Sequence, residues 1–218
     1  IEKDVIYSIT GSGEDLWVGR QRGGLTRLRL NDGAYTTATY TQADGLAQNS
    51  VYSVHQARDG TVWAGTLSGG VSRLQNGVFQ TYHAANGLAS NTVVAIEESA
   101  GGAMWFATPT GLSSFSNGQW RTYTKKDGLP SENVNCLLED SKGMIWVGTA
   151  AGLAFGGSGG FQTPDASLSA LKEQILGITE DRFGSLWMST SNHVLSVRRD
   201  KLAQGKAAES ELREYELA

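Results

Sequence analysis

Short apolar runs rich in Val, Ile, Leu and aromatic residues recur along the whole chain, separated by Gly, Asn and Asp. Runs of this length between such residues predict β-strands joined by tight turns. Four of them can be followed in each unit. The first is apolar and β-rich, as in "VYSVHQA" (51–57), "VVAIEES" (93–99), "VNCLLED" (134–140) and "ILGITED" (175–181). A turn such as "DSKG" or "DRFG" follows, with Asp first and Gly fourth, which suits a type I turn with a left-handed Gly. The second run carries a tryptophan: "TVWAGT", "AMWFAT", "MIWVGT", "SLWMST". The third, "GVSRLQ" or "GLSSFS", leads to Asn76-Gly77 or Asn117-Gly118, the signal of a two-residue hairpin, and "VFQTYHA" or "QWRTYTK" follows as the fourth. Helix-period stretches are confined to "SLSALKE" and "DKLAQGKAAESEL".

The tryptophans keep time. Trp17, Trp63, Trp105, Trp146 and Trp187 are separated by 46, 42, 41 and 41 residues. A second marker runs in phase with them: "DGLAQNSV" (44–51), "NGLASNTV" (86–93) and "DGLPSENV" (127–134), each ending on a Val 12 residues before the Trp. Four antiparallel strands repeating with a period in the low forties describe the blade of a β-propeller. The expected fold is therefore all-β, with about five four-stranded blades over 1–46, 47–88, 89–129, 130–170 and 171–218. A blade has two apolar faces and hides them only by stacking on its neighbours. The five tryptophans are accordingly expected to be blade-to-blade core.

The pattern Val-x-x-Ile…Asp-x-x-Gly-x-Ile-Trp-Val-Gly-Thr-x-x-Gly-Leu-x-x-Phe…Tyr…Asp-Gly-Leu resembles the two-component regulator propeller repeat. The best match is "VNCLLEDSKGMIWVGTAAGLAF" (134–155), and the tail ending "REYELA" resembles a C-terminal variant of the same repeat. Unit four lacks the Asp-Gly-Leu marker, unit one has a shortened first turn in "GSGED", and unit three has Ala107-Thr108 in place of Gly-Thr. The resemblance implies a periplasmic sensor region of a bacterial signalling protein, such as a hybrid histidine kinase or a membrane-bound diguanylate cyclase. It also implies a larger, generally seven-bladed ring, so the chain is expected to be a fragment. It would then pair with further blades, another copy of itself or a neighbouring chain.

Composition narrows the alternatives. A formal net charge of −4 with scattered Lys and Arg argues against a nucleic-acid surface. The single cysteine, Cys136, excludes an internal disulfide and a Cys-based zinc site, and its apolar neighbours mark a small buried residue. No apolar run is long enough to span a membrane. The Gly-rich "FGGSGGF" lacks the Lys and the helix of a phosphate loop and reads as a turn.

In a propeller the loops joining strand four to the next strand one, and strand two to strand three, share the top face around the central channel. Asn49 and Asn91 repeat there, which marks them as partners of local backbone. Departures from the repeat are better ligand candidates, namely Arg20, Arg22, Glu132 and Asn135, and Gln48, Asn133 and Asn192 on the same top-face loops join them. An Arg pair there suits a carboxylate or phosphate. His55, His83 and His193 fall on different strands and levels, so neither a catalytic group nor a metal or other cofactor is expected. The expected function is non-catalytic sensing of a periplasmic solute, such as a saccharide, or of a protein. Two readings compete with it: a propeller lyase of the streptogramin-inactivating type, and a pure protein-interaction ring.

Overall fold

The computed structural model describes residues 4–31 and 33–216, so the start of the first unit and the last two residues of "REYELA" lie outside it. Twenty strands form five separate four-stranded antiparallel sheets, each in the order first-second-third-fourth. Blade 1 holds β1 (Ile6–Ser12), β2 (Asp15–Arg20), β3 (Leu25–Asn31) and β4 (Ala34–Tyr40). Blade 2 holds β5 (Val51–Gln56), β6 (Val62–Thr66), β7 (Val71–Gln75) and β8 (Val78–Tyr82). Blade 3 comprises β9 (Ala95–Glu98), β10 (Met104–Thr108), β11 (Gly111–Ser116) and β12 (Gln119–Tyr123). Blade 4 comprises β13 (Val134–Glu139), β14 (Ile145–Thr149), β15 (Gly152–Gly157) and β16 (Gly160–Gln162). Blade 5 closes with β17 (Gly177–Glu180), β18 (Ser185–Ser189), β19 (His193–Arg198) and β20 (Arg213–Glu216). The two helix-period stretches become a 3-10 turn (Ser169–Lys172), a short helix α1 (Arg199–Ala203) and a second 3-10 turn (Glu209–Glu211).

Local chemistry fixes the connections. Asn76 and Asn117 sit at φ 51, as the first position of a two-residue hairpin requires. The Asp-Gly-Leu marker proves to be a capped turn. Thr41 N donates to Asp44 Oδ2 (2.8 Å), and Thr124 N donates to Asp127 Oδ2 (2.9 Å). Gly45, Gly87 and Gly128 then take φ 99, 108 and 97, open only to glycine without strain, and turn Leu46, Leu88 and Leu129 into the core.

The first strands of successive blades pack side by side, β1 on β5, β5 on β9, β9 on β13 and β13 on β17. Between the sheets lie four apolar clusters. In each, the tryptophan of one blade is covered by the next: Trp17 by Val54 and Val62, Trp63 by Ile96 and Phe106, Trp105 by Ile145 and Val147, Trp146 by Leu186 and Met188. The fifth departs from expectation. Trp187 is only half-buried, because among the described residues no sixth blade covers it. The matching face of blade 1 is also open, with Ile9 58% and Leu16 37% exposed.

The rest of the Trp-x-Gly-Thr phrase has equally local causes. A Cβ on Gly65 would lie 2.7 Å from Val93 Cγ1, and one on Gly148 would lie 2.8 Å from Ile175 Cγ2. The glycine is what lets the next blade's first strand approach. The threonine latches the loop after it: Thr66 Oγ1 donates to Gly70 O (2.8 Å) and accepts from Gly69 N (2.9 Å). Thr108 and Thr149 repeat this with Gly111 and Gly152.

A second tie runs the other way. Glu98, Glu139 and Glu180, the last residues of three first strands, accept backbone N–H groups from the preceding blade's turn: Arg58 (2.9 Å), Ala100 (2.7 Å) and Ser141 (2.7 Å). Blades 2, 3 and 4 therefore each give a tryptophan forward and receive a carboxylate back.

Candidate functional site

The top rim is built from the loops that the blades share. Gly24 N donates to Asn49 O (2.9 Å) and Gly70 N to Asn91 O (2.8 Å), so each strand-two-to-three loop is knitted to the loop entering the next blade. Asn49 and Asn91 also hold local backbone with their side chains, accepting from Gln42 N (2.9 Å) and Ala84 N (2.8 Å). Inside this rim the first strands of blades 1, 2 and 4 are bulged at their second residue, at Tyr7, Tyr52 and Asn135. Tyr7 and Tyr52 meet edge to face with ring centroids 4.5 Å apart. Val94 and Leu176 hold the corresponding places in blades 3 and 5.

Residues 45–68 and 128–151 match the family described as two component regulator propeller. The two matched segments take in the first two strands of blades 2 and 4. No curated protein sequence matches it. Among solved structures it is similar to the extracellular domain of a hybrid two-component system from B. thetaiotaomicron, at 24% identity and TM-score 0.82. That alignment covers 94% of this chain and 29% of the other, so the chain spans well under half of that relative. It is also similar to virginiamycin B lyase from Staphylococcus aureus (18% identity, TM-score 0.72, 97% of this chain and 70% of that one). A third likeness is to PorZ, a surface component of the type-IX secretion system of Porphyromonas gingivalis (14% identity, TM-score 0.69, 96% and 34%). At these identities the likeness is one of fold.

Within the top rim, the sequence-predicted ligand residues have separate surroundings. Arg20 stands where other blades have the latch threonine. Its Nε lies 3.2 Å from Asp4 Oδ2, its Nη1 donates to Thr26 Oγ1 (3.3 Å), and Asp4 accepts Gly23 N (2.8 Å) in the threonine's stead. Gln48 is bound twice to Ser68, donating to its Oγ and accepting its N–H, both at 2.9 Å. Asn135 reaches across to blade 5 and donates to Ile175 O (3.0 Å). Arg22, Glu132, Asn133 and Asn192 are exposed. No hydrogen bond or ion pair joins any two of these seven among the described residues. Sequence reasoning passed over Asp4 and Tyr7, which precede or open the first blade and so lacked a clear column for comparison.

The titratable groups are dispersed. His55 Nε2 lies 3.8 Å from Glu98, and His193 Nδ1 lies 3.6 Å from Glu173. Burial holds the His55 pKa below the ordinary histidine value, against the pull of Glu98. Burial also raises Glu97 and pushes the Cys136 thiol up to about 12. Among the described residues no group of three or more His, Cys, Asp or Glu is placed to hold a metal ion.

Proposed function

We propose that this chain is part of a non-catalytic sensor propeller on the periplasmic side of a bacterial signalling protein. Binding at the top rim would be passed to a cytoplasmic kinase or cyclase. The observation that carries this reading is the match of two of its blades to the regulator-propeller family. The fold it shares with a hybrid two-component extracellular domain supports it. The exposed Arg22, Glu132, Asn133 and Asn192 and the paired Tyr7 and Tyr52 offer polar and aromatic contacts of the kind a saccharide or a protein loop uses. Signalling requires that the ligand favour one arrangement of the blades over another.

In the same reading, further blades of the parent protein cover Ile9 and Leu16 at one end and Trp187 at the other, as every interior tryptophan is covered by its successor. The test is autophosphorylation or cyclase output of the full parent protein in membranes, titrated with a panel of oligosaccharides and other solutes. A saturable change in output that Arg22→Ala or Glu132→Ala weakens is the expected result. Output indifferent to every solute and to both substitutions would overturn the proposal.

The likeness to a lyase over 70% of that chain keeps one second reading in view. A solved structure of that lyase contains quinupristin, which supplies the probe. Incubation of the protein with quinupristin is expected to leave it intact, and linearisation of the antibiotic would establish the lyase instead.

A further inference from the structure

The turn before each tryptophan is closed by the same backbone hydrogen bonds in blades 2 to 5, so Ala57, Ser99, Asp140 and Asp181 occupy one position, six residues before the Trp. In blades 4 and 5 the carboxylate at that position accepts the indole N–H, at 2.8 Å in both. In blades 2 and 3 the position is Ala57 and Ser99, and neither accepts an indole N–H: Trp105 Nε1 is buried without a partner, whereas Trp63 Nε1 is not among the buried unpartnered atoms. Trp63 stacks on Tyr82 with an interplanar angle of 24°, as Trp187 does on Tyr215, so the two indoles hold the same plane against the fourth strand of their blades.

A cleft of about 270 Å³ opens beside Trp63, between blades 2 and 3 on the face opposite the sensor rim. Ala57, Thr61, Trp63 and Arg73 line it from blade 2, and Met104 and Phe115 line it from blade 3. Thr61 is 2% exposed, and its Oγ1 is buried without a hydrogen-bond partner. Arg73 lies over the Trp63 ring, 5.6 Å from its centroid, with its Nε buried and likewise unpartnered. Two buried, unpaired polar groups, Thr61 Oγ1 and Arg73 Nε, thus line the cleft beside Trp63, where blades 4 and 5 place a carboxylate.

We propose that this cleft binds a small carboxylate, whose oxygens take the place of the missing Asp and accept from Trp63 Nε1, Thr61 Oγ1 and the Arg73 guanidinium. Unpaired buried donors favour an anionic acceptor, and a guanidinium favours one with two oxygens. The rest of the cleft sets the remaining chemistry. Asp59 and Glu98 also line it, one accepting Thr61 N and the other Arg58 N, both at 2.9 Å. A second carboxylate on the ligand would be repelled, whereas a hydroxyl or ammonium would find an acceptor. The ligand class is therefore a small hydroxy or amino acid, in keeping with a volume just below the roughly 300 Å³ at which drug-sized ligand clefts begin. The site stands independently of what the sensor rim binds.

The test follows the Trp63 indole N–H resonance, assigned with Trp63→Phe, in the full chain titrated with L-lactate and glycine, with lactamide as the uncharged control. A saturable shift with lactate or glycine and none with lactamide is expected. Arg73→Gln should weaken binding by about tenfold or more. Ala57→Asp restores the carboxylate that blades 4 and 5 already tolerate. It should abolish binding and move the Trp63 resonance toward its ligand-bound position. An indole resonance unmoved by either acid at about 50 mM, far above the range of specific metabolite binding, would overturn the proposal. Undiminished lactate binding in folded Ala57→Asp or Arg73→Gln would do the same.

Discussion

Trp146 donates its indole N–H to Asp140 across 2.8 Å, with both side chains closed off from water. The same carboxylate accepts Lys142 N (2.8 Å) and Met144 N (2.9 Å) and lies 3.9 Å from the buried guanidinium of Arg199. One aspartate thus shapes the turn, orients the tryptophan and partly neutralises a cation reaching in from blade 5. Asp140→Ala leaves the buried Trp146 indole N–H without an acceptor, while Arg199 keeps Glu180 and Asp200, and is expected to cost about 1–3 kcal/mol in denaturant unfolding. Asp140→Asn keeps an acceptor for the indole and should lose less.

Gly148 is a close-approach position. A Cβ there meets Cys136 Sγ and, at 2.8 Å, Ile175 Cγ2 of the following blade. Gly148→Ala is expected to destabilise the protein by about 1–3 kcal/mol, as overpacking does in tight cores. Cys136→Ala removes one of the two obstructions. The double variant should recover part of the loss, a coupling that a double-mutant cycle of unfolding free energies measures.

His55 links stability to pH. Its folded-state pKa is lowered by burial, with Arg58 also opposing the charge and Glu98 favouring it. The native state therefore holds that proton less tightly than the unfolded chain. Stability is full above the unfolded value of about 6.5 and is lost as pH falls through it toward the folded value. The melting temperature is expected to drop between about pH 7.5 and 5.5, and the drop should be shallower in His55→Gln.

Cys136 should be inert. With its thiol pushed up to about 12 by burial, almost no thiolate is present near neutrality. Iodoacetamide at about pH 8 is expected to leave the native protein unmodified and to label it once denaturant exposes the chain; rapid labelling without denaturant would contradict the packing at this position.

The repeating features were legible because five copies of one phrase separate what packing requires from what varies. The Trp, the Gly and the Asp-Gly-Leu marker all carry the physical roles that their recurrence announces. Two kinds of feature were not legible. Arg20 looked like a channel cation because its partner, Asp4, lies before the first strand, in a segment that no other unit duplicates. Trp187 looked like its four counterparts because a tryptophan's burial depends on the residues that cover it, which lie one unit further along. The Ala57 position was readable as a gap in a column, but only the Asp140–Trp146 bond says what the gap exposes.

The opposed ties between blades give the array a direction in time as well as in space. A chain is made from its N-terminus, and its units fold as they emerge. A blade without its successor has its tryptophan bare and, in blades 2 to 4, its first turn unclasped. Both are completed only when the next blade arrives, bringing its apolar face and a carboxylate such as Glu139 or Glu180. Folding from the N-terminal end therefore runs one blade in arrears, and an interruption exposes one unfinished blade edge rather than an unfolded array.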